Sequence, residues 1–113
     1  MALIPEFDAF EAAYKGGQNQ IVYTRLAADI DTPVSLMLKL TGAAENAFVL
    51  ESVTGGEVRG RYSIIGMKPD LIWRSTGTTS ALNRAARYDA DAFEDVPGNP
   101  LDVLRDIIAE SRI

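Results

Sequence analysis

The spacing of apolar and polar positions changes period several times along this chain, and each change marks an element. Phe7, Phe10 and Tyr14 recur at helical spacing with Asp8 and Glu11 between them, and Gly16-Gly17 follows. That pattern predicts a short amphipathic helix with a glycine stop. Residues Ile21 to Leu26 are β-branched and aromatic, which predicts a strand. Asp31-Thr32-Pro33 then reads as a helix start. Thr32 is the cap, and Pro33 stands where its missing N–H costs nothing. This second helix runs through Leu40 and stops near Thr41-Gly42.

Beyond it the period shortens. Ala47 to Ser52 is the most apolar strand candidate, and Thr54-Gly55-Gly56 is turn chemistry. Arg61 to Ile65 makes a second strand closed by Gly66, and Leu71 to Arg74 makes a third after the turn at Pro69-Asp70. Thr76-Gly77-Thr78 turns the chain again, residues 79 to 90 hold one or two weaker strands, and Asp89 to Gly98 reads as an acidic loop. Asn99-Pro100 starts a last helix with Leu101, Leu104, Ile107 and Ile108 on one face. Trp73, Met37 and Phe48 are assigned to the core. Strands joined by short Gly and Asp turns predict an α+β fold, mainly antiparallel sheet with flanking helices, in one domain over 1–113. The last apolar stripe runs to Ile113 without a cap, so further chain is expected beyond it.

Composition narrows the function classes. A hydrophobic content of 47% against 24% charged residues is that of a folded domain. A net charge of −5, with no basic run, argues against a nucleic-acid partner. No leader or long apolar stretch opens the sequence, so a cytoplasmic protein with no membrane partner is expected. The absence of both Cys and His removes thiolate nucleophiles, soft metal sites and the usual neutral-pH base. No catalytic or metal-binding residue is assigned to this segment.

One constellation carries chemistry. Glu51 and Ser52 end the first apolar strand, and Arg61, Tyr62 and Ser63 open the next. On adjacent antiparallel strands these groups would hold a zwitterion: Glu51 attracts an ammonium, Arg61 pairs with a carboxylate, and the hydroxyls fix orientation. The residues alone read first as ordinary polar strand ends beside a glycine turn, because strand ends are usually polar. Gly55, Gly56, Gly60 and Gly66 fit no phosphate-binding motif, and the acidic loop lacks the glycine a calcium loop needs.

Several segments together resemble the large subunit of anthranilate synthase, component I, a chorismate-utilising family. Thr32-Pro33-Val34 with Leu38-Lys39-Leu40 is similar to its "TPV…LKL" helix, and Phe48-Val49-Leu50-Glu51-Ser52 to its "LLES" strand. Gly55-Gly56-Glu57 and Gly60 to Gly66 resemble "GGE…GRYSFIG", and Asn99 to Leu104 resembles "NPLEVL". Val49 and Ile64 are the departures, and neither changes a polar group.

The resemblance implies an N-terminal region of that subunit. The family's enzyme, a lyase of tryptophan biosynthesis, turns chorismate and ammonia into anthranilate and pyruvate with Mg2+. A glutamine amidotransferase subunit supplies the ammonia. Chorismate and the magnesium ion are expected in a C-terminal portion absent from this sequence, so the segment alone should be inactive. The "LLES" residues imply an allosteric feedback site for L-tryptophan. By motif Glu51 and Ser52 are its strongest candidates, and Arg61, Tyr62 and Ser63 its neighbours. Three alternatives remain open: the related aminodeoxychorismate synthase, a non-catalytic amino-acid-binding module, and a purely structural domain whose polar strand ends bind nothing.

Overall fold

The computed structural model describes residues 1–51 and 62–112. The chain divides into two compact units, Met1–Ile30 with Ser111–Ile113, and Asp31–Glu110.

The first unit is built on α1 (Phe7–Lys15), with Asp8 in its first turn and Lys15 in its last, each matching the sign of the helix dipole. Gly16 closes it, donating its N–H to the Ala12 carbonyl. The strand expected over Ile21 to Leu26 is not formed: a single antiparallel bridge joins Ile4 to Tyr23. A ladder needs successive partners, and here Thr24 turns its hydroxyl onto the Ala2 carbonyl at 2.7 Å instead. β-branched residues fit a strand, but they do not supply its neighbour.

In the second unit α2 (Pro33–Thr41) begins on a reciprocal cap. The Ser35 N–H donates to Thr32 Oγ1 at 3.1 Å, and the Thr32 N–H donates to Ser35 Oγ at 2.9 Å. Two otherwise orphaned donors are satisfied this way. Asp31 joins the cap by accepting from Ser35 Oγ at 3.0 Å and pairing with Lys39 Nζ at 2.6 Å. The Lys39 ammonium, then the Ser35 hydroxyl, hold its carboxyl below the ordinary aspartate value.

Among the described residues five strands follow, all antiparallel, giving an α+β fold in which two small sheets stand where a single sheet was expected. β1 (Phe48–Glu51) pairs with β2 (Ser63–Gly66), against which α2 packs. β3 (Ile72–Thr76), β4 (Thr79–Asn83) and β5 (Glu94–Val96) form the second sheet in that order. Gly77, at φ 60, opens the two-residue turn between Thr76 and Thr79, the backbone sign a tight hairpin requires. β5 lies inside the segment read as an acidic loop. Glu94 and Asp95 disfavour a strand by propensity, but they suit the solvent-facing edge of a sheet, and Leu82 and Ala81 pair with them.

α3 (Pro100–Glu110) packs on β4. Its buried residue is Val103, with Leu104 and Ile107 half-buried, whereas Leu101 and Ile108 stand open at about 60% exposure. The core-facing stripe thus keeps Leu104 and Ile107 of the expected set and takes Val103 in place of Leu101 and Ile108. The packed core is small: Ala81, Leu82 and Val103 are the buried apolar residues among those described. Trp73 is half-buried rather than sealed, with no partner for its indole N–H among the described residues. Phe48, expected in the core, is 49% exposed and lies across Gly66, whose missing side chain makes room for the ring. No helix among the described residues is long and apolar enough to cross a membrane.

Candidate functional site

Register decides which side chains the β1–β2 ribbon brings together. Glu51 stands directly opposite Ser63, Leu50 opposite Ile64, Val49 opposite Ile65 and Phe48 opposite Gly66. Opposed residues in an antiparallel pair share a face, and successive pairs alternate faces. One face therefore carries Val49, Ile65, Glu51 and Ser63, and the other Phe48, Leu50 and Ile64. The expected pairing of the acidic strand end with the hydroxyl of the next strand is present for Glu51 and Ser63. Their Cβ atoms are about 5 Å apart in such a pair.

Both side chains are exposed, and neither has a hydrogen bond or ion pair among the described residues. A carboxylate and a hydroxyl with free lone pairs, beside the apolar surface of Val49 and Ile65, suit a ligand with an ammonium and an apolar body. Tyr62 directly precedes β2 and is 73% exposed. Ser52 and Arg61 lie outside the described residues, so the guanidinium side of the constellation is not placed.

Among the described residues no three carboxylates, histidines or cysteines lie close enough to bind a metal.

The strongest polar anchor in the second unit is a residue that sequence reading passed over. Asn83 ends β4 and is fully buried. Its Oδ1 accepts the Ala85 N–H at 2.9 Å, and its Nδ2 donates to the Asp89 carbonyl at 2.7 Å. The loop over 84–89 is thus tied from within by one amide side chain. An Asn at a strand end just before a turn is the signal that would have pointed to it. On the same sheet, the Arg74 guanidinium lies 3.7 Å from the centroid of the Phe93 ring.

Comparison with known proteins adds a family. The chain is 64% identical over 107 residues to anthranilate synthase component 1 of Cereibacter sphaeroides, a match covering 95% of this chain and 21% of that protein. It is 36% identical over 110 residues to the protein of the same name from Synechocystis, covering 96% of this chain and 20% of that protein. With the Neisseria meningitidis protein of that name the identity is 37% over 93 residues, covering 81% of this chain and 18% of that protein. The chain thus spans about a fifth of the length of the curated relatives it matches. No protein-family profile matches it, and no solved structure does.

Proposed function

The chain belongs to the anthranilate synthase component 1 family, and on that premise we propose that it is the part of the subunit that senses L-tryptophan. In this reading the whole subunit, with a glutamine amidotransferase partner, converts chorismate and glutamine-derived ammonia to anthranilate and pyruvate. This segment supplies no reacting group. It supplies one wall of the effector pocket.

The observation that carries the reading is the Glu51–Ser63 pair across the ribbon. The Glu51 carboxylate would take the amino acid's ammonium in a charge-assisted hydrogen bond. Ser63 would orient it, and the apolar side chains of the same face would meet the indole. Arg61 would pair with the effector's carboxylate, with Ser52 and Tyr62 at the margin. Feedback then follows from differential affinity: an effector that binds one conformation of the subunit better shifts the population toward it. The segment's lack of Cys and His fits a sensor that performs no proton transfer near neutral pH.

The test uses the complete synthase. Ser52→Phe should abolish inhibition by tryptophan while leaving turnover with ammonia close to that of the parent. Glu51→Gln should raise the tryptophan concentration needed for half-inhibition about tenfold, by removing the ionic hydrogen bond. Full inhibition of both variants at parental tryptophan concentrations would refute the assignment.

A further inference from the structure

The end of the ribbon away from Glu51 leaves its ladder in an uncommon backbone conformation. Counting two residues outward from the Phe48–Gly66 pair on each strand reaches Asn46 and Lys68. These are the two non-glycine residues with positive φ among those described, at 58° and 51°. Asn tolerates that region; Lys does not, and Lys68 also precedes Pro69, which disfavours it further. Both strands therefore leave the ladder at matching positions, and at Lys68 through a backbone conformation that the local sequence resists. Strain retained at Lys68 marks a place where the surrounding structure, not local preference, sets the chain path.

A cleft of about 570 Å³ opens at this end of the ribbon, within the second unit. Lys68 and Arg87 line it, with Glu45 and Tyr88 also at its walls, and Ile72 and Ala86 giving it apolar surface. Lys68 and Arg87 are exposed and neither has an ion-pair partner among the described residues. In a chain with net charge −5, two uncommitted cations in one cleft run against the average field. The loop presenting Arg87 and Tyr88 is the one tied by the buried Asn83. Preorganised backbone on both sides lowers the ordering cost of binding.

We propose that this cleft binds a small carboxylate with an apolar, amino-substituted body. Lys68 and Arg87 hold the carboxylate, Ile72 and Ala86 contact the body, and Glu45 accepts from the amino group. The site is separate from the Glu51 end and does not depend on that end binding tryptophan.

Calorimetry and amide chemical-shift mapping on the full chain, with 2-aminobenzoate, benzoate and aniline as probes, test it at constant ionic strength. Saturable shifts with 2-aminobenzoate are expected at residues 45–46, 68–72 and 86–90, weaker ones with benzoate, and none with aniline. Lys68→Gln and Arg87→Gln should each weaken 2-aminobenzoate about two- to fivefold, the range for single exposed charges. Glu51→Gln should leave that binding unchanged. The proposal is overturned if aniline binds as well as the carboxylates, if no shift saturates, or if the shifts map to Glu51 and Ser63 instead.

Discussion

Replacing Asn83 by Ala should destabilise the second unit more than any other single polar truncation there. The side chain is fully buried and makes two hydrogen bonds, both to backbone groups of the loop that follows β4. Removing it leaves the Ala85 N–H and the Asp89 carbonyl without those partners. Stranding a buried polar group costs about 1–3 kcal/mol, and these two are only partly enclosed, so roughly 1–1.5 kcal/mol each applies. The vacated volume adds about another 1 kcal/mol. The sum, about 3–4 kcal/mol, is a large share of the roughly 5–15 kcal/mol by which a domain is stable. Urea unfolding followed through Trp73, the single tryptophan, on the strand beside β4, reads it directly. At a slope of roughly 2 kcal/mol/M the midpoint should fall by about 1.5–2 M. Asn83→Asp is the sharper control. A carboxylate still accepts the Ala85 N–H but faces the Asp89 carbonyl with no proton to donate, and it buries a charge. It should be at least as damaging as Ala at neutral pH and partly recover, relative to the parent, as acid protonates it. A midpoint change below about 0.2 M for Ala would refute the clamp; that is under 0.5 kcal/mol at this slope.

Three smaller changes probe the elements around the sites. Thr32→Ala removes the side-chain half of the α2 cap and should cost about 1 kcal/mol in urea unfolding, with Thr32→Ser close to neutral. Asp31 has its carboxyl held below its ordinary value by Lys39 and Ser35. Its contribution is therefore complete above the unfolded value of about 4 and is lost as pH falls through the depressed folded value. The parent's stability advantage over Asp31→Asn should shrink only below about pH 4, and an advantage independent of pH down to 2 would contradict the pairing. Gly66→Ala pushes a methyl group into the Phe48 ring. Because that ring is half-exposed and can swing aside, the cost should be about 1 kcal/mol, and a Phe48→Leu background should remove most of it.

Local chemistry made some elements legible and tertiary partnering hid others. α2 was readable because Thr32, Pro33 and Gly42 are start and stop signals that act within a few residues. The turn at Gly77 was readable for the same reason. The missing strand over 21–26 and the extra one over 94–96 show the opposite case: whether a segment is a strand depends on what lies beside it. Val22 and Tyr23 have the right side chains and almost no ladder, whereas Glu94 and Asp95 have the wrong ones and Leu82 and Ala81 to pair with. The helical stripe of α3 was found in part: Leu104 and Ile107 lie on the packed side as expected, whereas Val103 is buried and Leu101 and Ile108 are open, since neighbouring faces of this helix are about equally apolar. At the candidate site the sequence supplied Glu51 and Ser63, and only the register showed that they oppose each other. Lys68 carried no signal, because a lysine before a proline gives no reason to expect positive φ.

The ribbon's exposure bears on how its pocket could act. Four residue pairs, with Phe48, Leu50 and Ile64 each about half open or more, make a two-stranded sheet that is marginal by itself. A ligand that binds only the ordered ribbon stabilises it by RT ln(1 + [L]/Kd), about 2.7 kcal/mol at a hundredfold excess over Kd. Effector affinity and strand order are then the same free energy read two ways. Under the tryptophan reading, the amides of Phe48 to Glu51 and Ser63 to Gly66 should exchange up to about a hundredfold more slowly when the complete synthase is saturated with tryptophan. Amides of β3 and β4, which have their own sheet, should change far less. Equal slowing in both sheets would mean that the effector stabilises the fold as a whole, and that the ribbon is not its lever.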